Sequence, residues 1–196
     1  MPTRDSKLRH LPNALTILRL LMAVPIAVLV IAHEGTWAMS LFIVAGLSDG
    51  LDGWLAKRYH WQSQLGGWLD PLADKTLVLS VCIALAIHGD LPFWLLGLII
   101  LRDLVIVAGA ITFHFKFAPL HAVPTLIGKL TMVALITMVV ALLWRNVDGP
   151  ISVWLIDGLT YLVAALLLVS GFDYVRRWSA KARLLRAHNH HSPRSF

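Results

Sequence analysis

The sequence predicts an all-α membrane bundle of six transmembrane helices, and three observations carry that prediction. Of the 196 residues, 58% are hydrophobic and only 14% charged, with a mean hydropathy of +0.72. A water-soluble domain has about half its residues apolar and about a quarter charged. The apolar residues fall in six runs, each near the ~20 residues that a bilayer crossing needs. Between the runs lie short polar connections with no room for a separate soluble domain. Hydrocarbon offers the backbone no hydrogen bonds, so runs of this length read as helices.

The first eleven residues form a polar leader with Arg4, Lys7 and Arg9. No small-residue cleavage site follows, so the first run reads as a span and not as a cleaved signal peptide. That span, Asn13 to Ile31, contains Arg19 and Pro25; His33-Glu34-Gly35 then leads to a second, Trp37 to Ala56, with Asp49 and Asp52 in its last turns. A polar turn, Lys57 to Gln64, precedes the third span, Leu65 to Ile87, which opens with Asp70, Asp74 and Lys75. The break at His88 to Pro92 leads to the fourth, Phe93 to Phe115, with Arg102-Asp103 near its middle. After the loop Lys116 to Pro124, the fifth span covers Leu126 to Trp144 with Lys129 in its first turn, and the sixth covers Val153 to Val169. Residues 1–175 read as one transmembrane domain. From Arg176 a basic tail is expected to be partly disordered.

The formal net charge is +6. In a soluble protein this would raise nucleic acid as a partner; here the basic residues sit at helix ends and in the tails, where anionic lipid headgroups attract them. Arg4, Lys7, Arg9, Lys57, Arg58, Lys116 and the tail cluster fall on one side of the predicted bundle, and Arg145 alone on the other. Both termini are therefore expected in the cytoplasm. The single cysteine, Cys82, excludes a disulfide framework and a thiolate metal site.

Carboxylates inside membrane helices are costly and mark function. Asp49 and Asp52 are three residues apart and Asp70 and Asp74 four apart, so each pair occupies one helix face. The short turn between the two helices makes them antiparallel neighbours with both acidic pairs at the cytoplasmic end. Four converging carboxylates repel unless cations neutralise them, and oxygen-only ligands suit Mg²⁺, Mn²⁺ or Ca²⁺ better than zinc. Gly53 and Gly66 fall on facing sides, where a missing side chain admits a bulky ligand or close helix packing.

The run Asp49-Gly-Leu-Asp52-Gly53-Trp-Leu-Ala56-Lys57, continued by Gly66-Gly-Trp-Leu-Asp70-Pro-Leu-Ala-Asp74, resembles the signature of the CDP-alcohol phosphatidyltransferases, D-x2-D-G-x2-A-R-x8-G-x3-D-x3-D. It departs from that pattern only at Lys57, where the family has arginine. Asn13, Thr16 and Arg19 are similar to the family's opening, and Leu69 to Lys75 and Ser170 to Tyr174 resemble its phosphatidylglycerophosphate synthase and eukaryotic-type cardiolipin synthase branches.

The resemblance implies a six-helix bundle around a polar cavity open to the cytoplasmic interface. Within it, Asp49, Asp52, Asp70 and Asp74 would hold two Mg²⁺ or Mn²⁺ ions on the pyrophosphate of CDP-diacylglycerol. Gly53, Ala56 and Gly66 would make room for the cytidine, with Lys57 beside the nucleotide. Asp74 would be the base that takes the acceptor's proton. Arg102 and Lys129 would receive an acceptor phosphate, although Arg102 has a structural alternative in pairing with Asp103 or Asp157, and Lys129 in snorkelling to the interface. Arg19 has the same choice between substrate and internal ion pair. His114, His121 and the tail histidines are expected to be solvated.

Glycerol 3-phosphate, giving phosphatidylglycerophosphate, is the first acceptor implied, and phosphatidylglycerol, giving cardiolipin, the second; inositol phosphate and serine follow. Gly128-Lys129-Leu-Thr131 keeps only part of the first branch's Gly-Lys-x-Lys-Thr-x-x-Gln run. The compact length and the absence of a targeting leader suit a bacterial inner-membrane protein, and the resemblance further implies pairing as a homodimer, for which the sequence itself carries no seam. A small transporter with an acidic intramembrane site would explain the aspartates but not the glycine spacing.

Overall fold

The structure, a computed structural model, describes residues 11–59, 66–116 and 125–190, and among these the side chains of 17–48, 75–109, 125–177 and 179. The described residues form six helices: α1 (Leu11–Ile31), α2 (Gly35–Tyr59), α3 (Gly66–His88), α4 (Phe93–Lys116), α5 (Leu126–Arg145) and α6 (Val153–His190). Each of the first five holds 20 to 25 residues, or ~30–38 Å at 1.5 Å per residue, the thickness of a bilayer's hydrocarbon core. The stretches Leu126–Arg145 and Val153–Arg177 are long and apolar enough to cross a membrane. Pro25 sits inside α1 without ending it, as membrane helices tolerate.

One expectation needs correcting. The basic tail is helical as far as His190, so α6 runs for 38 residues. Its extension is rich in Ala, Leu, Arg and Lys, which are strong helix formers even without an apolar face.

The chain divides into two compact units. In the first, residues 1–92 with 139–152, α1 packs against both α2 and α3. Among the described residues of α1 the buried positions are Arg19, Ala23, Ile26 and Val30, three or four residues apart along one stripe. Ala38, Phe42 and Ala45 of α2 and Val78, Val81, Cys82 and Leu85 of α3 are also buried. Small residues in such stripes let helix backbones approach closely. Exposed faces carry Leu21, Val24 and Val28, each more than half exposed. Burying an arginine while exposing valine and leucine suits helices whose surroundings are hydrocarbon.

Three helix ends of this unit close in the same way. After α1, α3 and α5 a residue with positive φ (His33 at 62°, Gly89 at 96° and Asp148 at 56°) reverses the chain. In each case the next amide donates back to a carbonyl five residues earlier: Glu34 to Leu29, Asp90 to Leu85 and Gly149 to Trp144. This is the Schellman arrangement, which satisfies the last carbonyls of a helix.

Asp90 ties the α3 end to the α5 end, and His88 ties the α3 end to the α1 end. Asp90 accepts from Arg145 Nη2 at 2.5 Å and Asn146 Nδ2 at 2.7 Å. His88 Nδ1 lies 2.8 Å from the same carboxylate, at an angle too poor for a hydrogen bond, and His88 Nε2 is 2.8 Å from His33 Nδ1. Gly35 approaches the backbone carbonyl of Asn146 so closely that a Cβ there would overlap it.

In the second unit, residues 93–138 with 153–196, α4 packs against α6. The Thr131 hydroxyl donates to Ile127 O at 2.8 Å and lies 3.3 Å from Leu166 O, which ties α5 to α6. Thr125 caps α5, its Oγ1 accepting from the Gly128 amide at 3.0 Å.

Candidate active site

Helix α2 runs unbroken through Asp49, Asp52, Gly53, Ala56 and Lys57, and α3 through Gly66, Asp70 and Asp74. Each acidic pair therefore keeps the helical spacing that the sequence predicts. The side chains of these eight residues lie outside the described residues, as do those of Asn13, Thr16, His114, His121 and the tail histidines. Among the described residues the principal packing partner of both acid-bearing helices is α1. Arg19 is 2% exposed on the buried stripe of that helix. Burying a guanidinium costs several kcal/mol unless it is compensated, of the order found for single ions in protein interiors.

A second group of predicted residues is described in full. Arg102 is buried, with a side-chain exposure of 8%. Its Nη1 donates to Asp103 Oδ1 at 2.7 Å and its Nη2 to Ser170 Oγ at 3.1 Å. The guanidinium carbon stands 5.8 Å from the centre of the Tyr174 ring, within cation–π range. A Cβ placed at Gly128 would lie 3.5 Å from both Arg102 Nη2 and the Tyr174 hydroxyl. The start of α5, with Lys129 next in sequence and exposed, is thus brought against Arg102. Of the two pairings open to Arg102 in the sequence, Asp103 is the one formed; Asp157 is exposed.

Sequence reasoning missed Ser170 and Tyr174 as partners of Arg102. They lie 68 and 72 residues further on, and the only local signal was the Ser170 to Tyr174 run itself. Beside this group a groove of about 280 Å³ opens between α4 and α6.

Asp49, Asp52, Asp70 and Asp74 offer oxygen donors of the kind that suit Mg²⁺ or Mn²⁺, and the acidic run from Asp49 to Asp74 contains no cysteine to favour a softer ion. Among the described residues no group of three or more His, Cys, Asp or Glu forms a metal cluster.

A family model described as CDP-alcohol phosphatidyltransferase matches residues 9–174. A "Probable cardiolipin synthase (CMP-forming)" of Drosophila melanogaster is 35% identical over 178 residues, covering 80% of this chain and 55% of that protein. A "Probable phosphatidylglycerophosphate synthase" of Mycobacterium tuberculosis is 32% identical over 181 residues, covering 88% and 83%. A "CDP-diacylglycerol--glycerol-3-phosphate 3-phosphatidyltransferase" of Cereibacter sphaeroides is 28% identical over 209 residues, covering 85% and 94%. This chain thus spans about half the length of the insect relative and most of the length of the bacterial two.

Proposed function

This chain belongs to the CDP-alcohol phosphatidyltransferases, and we propose that it moves a phosphatidyl group from CDP-diacylglycerol to the hydroxyl of a phosphate-bearing glycerol compound, releasing CMP. The observation that carries this reading is the acidic signature from Asp49 to Asp74, unbroken at every spacing inside the matched residues.

In this reading the acceptor's hydroxyl oxygen attacks the phosphorus that carries the diacylglycerol. The bond from that phosphorus to the oxygen of CMP breaks, CMP leaves with the electron pair, and the hydroxyl proton passes to Asp74. Asp49, Asp52, Asp70 and Asp74 hold two divalent ions, Mg²⁺ or Mn²⁺. When bound, these supply charge neutralisation at the pyrophosphate and the leaving phosphate. Gly53, Ala56 and Gly66 leave space for the cytidine. Lys57 contributes a point charge at the nucleotide, without the planar fork of an arginine.

Arg102 and Lys129 receive the acceptor's phosphate, with Ser170 and Tyr174 fixing the guanidinium. Arg19 acts from α1 as a positive charge among helices that carry acids. The six helices span the membrane around a cavity open to the cytoplasm, where the basic loops and both termini lie. Residues 1–175 form the catalytic domain, the basic extension of α6 rests at the anionic headgroups, and the protein works as a homodimer in a bacterial inner membrane.

Glycerol 3-phosphate is the first acceptor on the sequence resemblance. Phosphatidylglycerol is the second, and one specific observation favours it: the groove beside Arg102. The test of the class is CMP release by the purified protein in detergent with CDP-diacylglycerol, Mg²⁺ or Mn²⁺, and each acceptor in turn. Acceptor-dependent release that falls by a factor of at least ~10² in Asp74→Asn, the scale of losing a general base, is the expected result. Folded protein that releases no CMP with any acceptor, or an Asp74→Asn variant as active as the parent, would refute it.

A further inference from the structure

We propose that His33, His88 and Asp90 form a proton-operated link between the ends of α1 and α3. It stays closed while the two imidazoles together hold at most one added proton, and a second added proton opens it. The link lies at the other end of α3 from Asp70 and Asp74 and is independent of phosphatidyl transfer.

His33 Nδ1 and His88 Nε2 are 2.8 Å apart, with the ring centres at 4.3 Å. On the other side of the His88 ring, Nδ1 is 2.8 Å from Asp90 Oδ2. A bare ring nitrogen so close to a carboxylate oxygen would set lone pair against lone pair. The geometry therefore puts the proton of neutral His88 on Nδ1, where its attraction to Asp90 is electrostatic because the angle does not suit a hydrogen bond. His88 Nε2 is then the acceptor, and His33 Nδ1–H donates to it. His33 Nε2 is left for water: His33 is exposed, and an opening of about 90 Å³ lined by Val30, His33, Gly35, His88 and Asn146 lies beside the pair.

The first added proton enters at His33 Nε2 and breaks nothing, because the facing nitrogen of His88 still lacks a hydrogen. The charge it brings is drawn towards Asp90. The second must go to His88 Nε2, which then carries a hydrogen facing His33 Nδ1–H. Two donors at 2.8 Å cannot bond to each other, and the two imidazolium charges repel at that distance.

The surrounding charges do not offset this. The α1 end brings His33 and Glu34, the α3 end His88 and Asp90, and the α5 end Arg145 and Asp148. Asp90 is already engaged by Arg145, so both added protons stand uncompensated. Glu34 and Asp148 are exposed, where water and salt weaken their pull. From α2 comes the uncharged Gly35, set against the Asn146 carbonyl. Histidines change charge between about pH 5 and 8, so the link holds at neutral pH and opens towards the acid end of that range. In the topology proposed above, this end of the helices faces away from the cytoplasm, so the link answers to the pH outside. Neither the link nor its test depends on that topology.

The experiment follows amide hydrogen exchange of the full-length protein in detergent at pH 7.5 and pH 5. The reporters are the Glu34 amide, which donates to Leu29 O, and the Asp90 amide, which donates to Leu85 O. The variants are His33→Asn and His88→Gln. Each replaces an imidazole with an amide that can donate or accept and does not titrate, so the pair can no longer hold two added protons. Asparagine also tolerates the positive φ of position 33. Each variant is read at the other helix end, Asp90 for His33→Asn and Glu34 for His88→Gln, and against the parent at the same pH, so that intrinsic exchange rates cancel.

At pH 7.5 parent and variants should exchange within about threefold of each other. At pH 5 the parent should exchange faster than either variant by roughly 5–150-fold, the range for leaving a buried donor unpaired. A parent-to-variant ratio that stays the same at the two pH values would overturn the proposal. So would a variant that keeps the parent's acid response, since other groups would then be its source. If one variant does not fold, the other decides by the same ratio.

Discussion

Replacing Asp90 with alanine removes the carboxylate that ties the end of α3 to the end of α5. Asn146 Nδ2 donates to it at 2.7 Å, and a hydrogen bond to a charged acceptor is worth about 1.5 kcal/mol at the low end of its range. Arg145 lies at 2.5 Å, but its side chain is 36% exposed and rehydrates when the partner is lost, so this pair adds only about 0.5–1 kcal/mol. The approach of His88 Nδ1 is poorly angled and adds a fraction more. The total is about 2–3 kcal/mol, or a fall of roughly 4–12 °C in melting midpoint for a chain of this size.

The assay is tryptophan fluorescence on heating in detergent at one scan rate. It is suitable because the Trp144 indole packs against Gly149 beside the cluster. Asp90→Asn keeps an acceptor oxygen without the charge and should lose about half as much. A double-mutant cycle with Arg145→Ala should return a coupling of about 0.5–1 kcal/mol. If Asp90→Ala melts within about 2 °C of the parent, below the lowest shift worked out above, then this network does not hold the helix ends together.

Other outcomes test separate parts of the argument. Gly35→Ala forces a Cβ into the carbonyl of Asn146; overpacking of this kind costs about 1–3 kcal/mol. The same heating assay should show it as a fall of several degrees, and an unchanged midpoint would mean that the α1–α2 turn gives way easily. Lys57→Arg restores the planar fork, and should lower KM for CDP-diacylglycerol by about threefold to tenfold with kcat little changed. Titrating the donor at saturating acceptor checks this; an unchanged or higher KM would remove Lys57 from the nucleotide site.

The helices were legible because their signals are local. Apolar runs near bilayer length, broken by His33-Glu34-Gly35, by His88 to Pro92 and by Arg145 to Pro150, predict helix limits that α1 to α5 meet to within two or three residues. The acidic signature was legible for the same reason, since its meaning lies in spacing along two adjacent helices. α6 was misjudged at its end because hydropathy detects the membrane, not the helix. Once the chain leaves the apolar stretch, residues of high helix propensity continue the helix to His190.

Other features depend on contacts between residues distant in sequence, and only the tertiary structure decided them. The sequence left Arg102 a choice of partners; packing α4 on α6 brings up Ser170 and Tyr174 and settles Arg102 on Asp103. Asp90 looked like a loop residue until the end of α5 delivered Arg145 and Asn146 to it. The groove exists only as the space between two helix surfaces, so no single run of residues encodes it. Composition and spacing determine which segments become helices and which carry the chemistry, because these depend on neighbours a few residues away. Which charges pair, and where a ligand finds room, depend on side chains that only packing brings together.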